Sequence, residues 1–174
     1  MNKLLNELLY PEVVLMIVPF VLVGFIAANS FNLILLLYAT VIVTLGDLTG
    51  NVLNNYGDWE IDEANNKRRY LHKRLSRKAV FYIFIALSIA YFALGLFANM
   101  YLLLTMIGGY LGAVLYSTVL KLKDKFIFNN LTLGFVYGLV TFCYGILQRQ
   151  IILRDFLMCC GFPYIIWCLF LAYQ

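Results

Sequence analysis

A chain of 174 residues that is 63% hydrophobic and 13% charged carries too few charges to cover a water-soluble domain. Its formal charge of +4 comes from 13 basic residues against 9 acidic ones. The basic residues gather between apolar runs, so the excess reports membrane topology and not a nucleic-acid surface.

In chain order, six apolar runs approach the roughly 20 residues that cross a hydrocarbon core. They are Pro11–Ala28, Phe31–Tyr56, Ala79–Phe97, Tyr101–Leu120, Asn130–Leu147 and Phe156–Tyr173. Lipid offers the backbone no partners, and the alternation of a barrel strand is missing, so all six are predicted as helices. The expected fold is an all-α, polytopic membrane bundle with six transmembrane helices in one domain over residues 1–174. Short turns at Asn29–Ser30 and Ala98–Asn99 make the first two runs, and the third and fourth, antiparallel neighbours. Gly108 and Gly112, one turn apart in the fourth run, favour a close helix approach. Lys3, the seven Lys and Arg between Lys67 and Lys78, and Lys121, Lys123 and Lys125 fall on one side, and Arg149 and Arg154 on the other. The rich side is expected to be cytoplasmic. Cys143, Cys159, Cys160 and Cys168 lack zinc-ligand spacing and read as buried thiols.

The polar residues of interest end the second run. At 100° per residue, Asp47, Asn51, Asn54, Asp58 and Asp62 fall within an arc of roughly 80°. Acidic groups at membrane depth are costly in lipid, so the stripe is expected to face a polar cavity. A merely wet helix end is the alternative. Leu48, Val52, Leu53 and Trp59 lie on other faces and suit packing or lipid. Carboxylates one turn apart, with amides beside them, suit Mg²⁺, which fills its remaining positions with water and phosphate oxygens. The cations that follow (Lys67, Arg68, Arg69, Lys73 and Arg74) could hold phosphate or simply fix topology. His72, the only histidine, reads as a loop residue.

The segment from Asn54 to Asp62 resembles the first aspartate-rich motif, N-D-x-x-D-x-x-x-D, of the UbiA-type intramembrane prenyltransferases. Downstream, Asn65, Arg69, Leu71 and Ser76 match that family's continuation, while Asn66, Lys67 and Tyr70 depart from it. Tyr116-Ser-Thr-Val-Leu-Lys121-Leu-Lys123, with Asn130 beyond, resembles a second segment of the family. The Gly50-Asn51 lead-in is most like the archaeal branch that makes ether-lipid precursors. The resemblance implies Mg²⁺-dependent transfer of a prenyl group from a polyprenyl diphosphate to a membrane-associated acceptor. By position, Asn54, Asp58 and Asp62 would be the catalytic and metal residues. Arg69, Lys121 and Lys123 would clamp phosphate, with Tyr116, Asn51 and Asn130 also on the substrate side. Quinone-ring precursors, haem, chlorophyllide and glycerol-phosphate ethers are all open as acceptors, the last slightly favoured.

Two departures from the family shape the expectation. Asn55 stands where the motif usually has an Asp, as its second residue. The family's second aspartate-rich motif follows its sixth helix, and this sequence stops at Gln174, with helices seven to nine also missing. The chain by itself is therefore expected to be inactive, and to be either completed by a partner chain carrying the other half or a truncated product of low stability. The competing class is a non-catalytic membrane protein whose acidic stripe binds a cation or lipid head group, or serves assembly.

Overall fold

A computed structural model describes residues 3–27, 32–98 and 100–119. It is helical throughout: α1 (Lys3–Leu9), α2 (Pro11–Ala27), α3 (Leu33–Gly57), α4 (Trp59–Ala64), α5 (Arg69–Arg74), α6 (Arg77–Gly95) and α7 (Met100–Val114), with a π-helical turn at Leu115–Val119. The first four apolar runs are α2, α3, α6 and α7, whose starts lie within two residues of those expected. The predicted helices at 130–147 and 156–173 lie outside the described residues.

Local chemistry sets where the long helices begin. Asn32 and Ser76 sit in extended backbone, and each side-chain oxygen accepts the N–H three residues on, from Leu35 and from Ala79, both at 3.2 Å. Among the described residues, α3 and α6 are long and apolar enough to cross a membrane, while α2 and α7 have 17 and 15 residues. The outward side chains of these helices are apolar: Ile26 is 73% exposed, Ile34 79% and Ile89 65%. So much apolar surface suits lipid and not water.

α3 is the central element, packing against α1, α2, α6 and α7. It runs antiparallel to α6, and the Tyr38 hydroxyl near its start donates to the Leu94 carbonyl near the end of α6. At that end Val21, Phe25, Ala39, Ile42, Val43, Tyr91, Leu102 and Met106 form one core. A second core at the opposite end joins Leu8, Val52, Leu53, Trp59, Leu71, Val80 and Phe84. Tyr110 packs on both, stacked on Phe84 at 6.0 Å and edge-on to Phe92 at 5.1 Å.

Two features differ from expectation. The stretch between Asp58 and Lys78 contains α4 and α5, so His72, expected in a loop, is helical and stacks on Trp59 with ring centroids 4.2 Å apart. Helices of six residues do not persist alone; burial of Trp59 and Leu71 in the second core holds them. The polar stripe does not follow one unbroken helix, because the chain breaks at Asp58 between α3 and α4. Among the described residues, close approaches occur at Gly46, Gly57 and Gly95, and a helix packing on Gly108 and Gly112 would have to come from outside them.

Candidate functional site

The break at Asp58 is gentle. Asp58 has φ −92° and ψ 3°, a conformation of the bridge region that recurs at sites of function. The i→i−4 bonds survive on either side: Asp58 N–H donates to the Asn54 carbonyl and Asp62 N–H to the Asp58 carbonyl, both at 2.9 Å. Asn54, Asp58 and Asp62 thus keep one-turn spacing through the bend. Asn54 and Asp58 are half-buried, and Asp62 is buried.

Asp62 is ion-paired with Arg68, whose Nε also donates to the Tyr10 hydroxyl. Arg68 was not singled out by its motif position; the matched arginine is its neighbour Arg69, which opens α5 and whose side chain lies outside the described residues. Burial pushes the Tyr10 phenol above its ordinary value, against the opposing pull of the Arg68 guanidinium. The phenol therefore stays protonated and can accept from Arg68 while keeping its own donor. The Lys3 ammonium donates to the Tyr70 hydroxyl at 3.1 Å, and that bond holds its pKa above the ordinary lysine value.

The residues that match the continuation of the motif have visible local work. Leu71 is fully buried in the second core, and Ser76 caps α6. The Asn65 amide donates to the Ile61 carbonyl at 2.9 Å, closing α4. Asn51 donates to the Asp47 carboxylate at 3.0 Å and to the Leu9 carbonyl at 3.3 Å. Asn55, at 1% exposure, donates to the carbonyls of Glu7 (3.2 Å) and Leu8 (3.0 Å).

The two motifs meet at Gly57. A Cβ there would lie 2.8 Å from the Ser117 carbonyl oxygen and 3.6 Å from the Thr118 methyl. Tyr116 and Ser117 belong to the π-helical turn, with Tyr116 half-buried and Ser117 buried. Such turns are rare and collect at functional sites. Lys121, Lys123 and Asn130 lie outside the described residues. Among the described residues no three His, Cys, Asp or Glu side chains converge as a metal cluster. Mg²⁺ needs only one or two protein carboxylates, and the donor set of Asp58, Asp62 and Asn54 fits that chemistry.

Among the described residues, all in helices and the short links between them, an aspartate-bearing turn packs against a tyrosine-bearing one. The sequence profile of the UbiA prenyltransferase family matches residues 17–174, and the chain belongs to that family. A digeranylgeranylglyceryl phosphate synthase of Thermococcus kodakarensis is 31% identical over 122 residues, covering 70% of this chain and 43% of that protein. The protein of the same name from Methanobrevibacter smithii is 29% identical over 138 residues, covering 76% of this chain and 48% of its own length. The chain thus spans less than half the length of these curated relatives. No solved structure matches it.

Proposed function

We propose that this chain carries the diphosphate end of a Mg²⁺-dependent prenyl-transfer site in the membrane, opening toward the cytoplasm. Its donor is a polyprenyl diphosphate, and its acceptor is of the glycerol-phosphate class that the relatives' names carry. What supports this reading is the packing of Gly57 on Ser117, which brings the aspartate-bearing turn against the tyrosine-bearing one.

In this reading Asn54, Asp58 and Asp62 would hold Mg²⁺, which would supply positive charge against the diphosphate. Arg68 and Arg69, with Lys121 and Lys123, attract the phosphate oxygens, and Arg can do so bidentately. Tyr116, Asn51 and Asn130 line the substrate side. The bond between the allylic carbon and the diphosphate oxygen breaks, and its electron pair leaves with the diphosphate. An acceptor hydroxyl oxygen bonds to that carbon and gives up its proton to the released diphosphate or to water. Cations fixed where the leaving charge develops stabilise it without reorganisation. The apolar helix faces supply the surroundings an isoprenoid tail needs.

The test is binding of geranylgeranyl diphosphate to the chain in lipid nanodiscs, with and without Mg²⁺. Binding should require Mg²⁺, and Asp58→Ala should weaken it by about tenfold or more, the worth of one lost charged contact. Equal affinity for a non-allylic anionic lipid, or indifference to Mg²⁺, would favour the head-group-binding alternative and overturn the proposal.

A further inference from the structure

We infer that Glu7 and Asn55 are positioning residues for the phosphate end of the site: α1 hangs from α3 through Asn55, and the basic segment Lys67–Arg74 hangs from α1 through Glu7. This rests on the diphosphate reading above.

The observations form a chain of contacts. The last carbonyls of a helix have no partner within it. Those of Glu7 and Leu8 at the end of α1 are taken by the Asn55 amide, and that of Leu9 by Asn51. The Oδ1 of Asn55 is buried without a hydrogen bond, so the residue serves as a donor. A carboxylate at position 55 would set acceptor against acceptor. The departure from the family's aspartate is thereby explained: residue 55 faces α1 and not a metal.

From α1, the Glu7 carboxylate accepts the Leu71 backbone N–H at 2.8 Å. That N–H is in the first turn of α5, where donors are otherwise unpaired. A second tie runs from Tyr10, just past α1, to Arg68. Tyr10 and Arg68 are two of the three non-glycine residues with left-handed backbone among those described, at φ 47° and 48°; the third is Asn66. Strained backbone of this kind persists only where its surroundings fix it, and it clusters at functional sites. All three flank one network, whose far end is the Arg68–Asp62 pair. Releasing α1 would free the basic segment from the aspartate turn while leaving α2, α3, α6 and α7 in place.

The experiment compares Glu7→Ala, Glu7→Gln, Asn55→Asp and Tyr10→Phe in the full chain in nanodiscs. It reads amide hydrogen exchange over residues 69–74 and the Kd for geranylgeranyl diphosphate with Mg²⁺. Glu7→Ala and Asn55→Asp should each speed exchange and weaken binding by about tenfold, the worth of one orphaned hydrogen bond. Glu7→Gln keeps an acceptor oxygen for Leu71 and should restore both to within about threefold. Faster exchange with unchanged Kd would make α1 merely structural and overturn the inference, as would wild-type behaviour of Glu7→Ala, or Glu7→Gln no better than alanine. Should Glu7→Ala not yield folded protein, Tyr10→Phe decides: it leaves both helix ends intact, and an unchanged Kd in that variant refutes the inference. Wild-type chain that binds no diphosphate would remove the functional reading and the role with it. That failure is distinguishable because exchange at 69–74 would still respond to Glu7.

Discussion

Glu60 and Asp62 both lie on α4 and both meet an arginine, yet the two pairs differ in their surroundings. The side chains of Asp62 and Arg68 are 8% and 16% exposed, whereas those of Glu60 and Arg77, 2.7 Å apart, are 81% and 40% exposed. Removing one partner of a shielded pair strands the other charge, so Asp62→Ala should lower unfolding stability by about 3 kcal/mol. Glu60→Ala should cost below about 1 kcal/mol. Thermal unfolding in detergent compares them directly. Tyr10 adds a pH dependence. Its phenol keeps its proton to higher pH in the folded state than in the unfolded chain, so its contribution is intact below pH 10.0 and is lost as pH rises beyond that. Unfolding followed between about pH 9 and 11 should show a loss that Tyr10→Phe reduces. The aspartates and asparagines were legible in the sequence through their spacing. Glu7 and Tyr10 were not, because they find their partners 64 and 58 residues away. No local pattern encodes such a contact.

At the level of elements, apolar runs of sufficient length located α2, α3, α6 and α7, since lipid exposure imposes composition on the whole helix. The short elements escaped. The helix α1 is seven residues long, α4 and α5 six each, and α4 and α5 are rich in charge, so their existence depends on burial of Leu8, Trp59 and Leu71 in the second core. The glycines illustrate the same division. Spacing draws attention to Gly108 and Gly112; among the described residues the close approach to backbone is at Gly57, which has no repeat to mark it. Gly57→Ala would press its Cβ against a backbone oxygen, which cannot rotate away as a side chain does. It should destabilise by about 1–3 kcal/mol and weaken diphosphate binding, while Gly108→Ala leaves both near wild type. Unfolding and binding measured on the two variants in parallel check this.

Across the described part of the molecule, charge gathers toward one end. Among the described helices the acidic and basic side chains collect around α1, α4, α5 and the start of α6, where the second core also sits. In the proposed topology that end is cytoplasmic, so Ser76→Cys in a cysteine-free background should react with impermeant reagents only from inside. The other end has a consequence for how the protein is made. The connections between α2 and α3 and between α6 and α7, Ala28-Asn29-Ser30-Phe31 and Leu96-Phe97-Ala98-Asn99, hold no charged residue. A nascent hairpin can therefore push its tip through the bilayer without dragging an ion across, a passage that costs about 2.5–3.5 kcal/mol per charge at the helix centre. Each pair can enter as a unit, with its charged feet left behind to dock on one another afterwards. Two arginines written into Asn29 and Ser30 should stall or invert the first hairpin during synthesis, although neither position touches the aspartate turn.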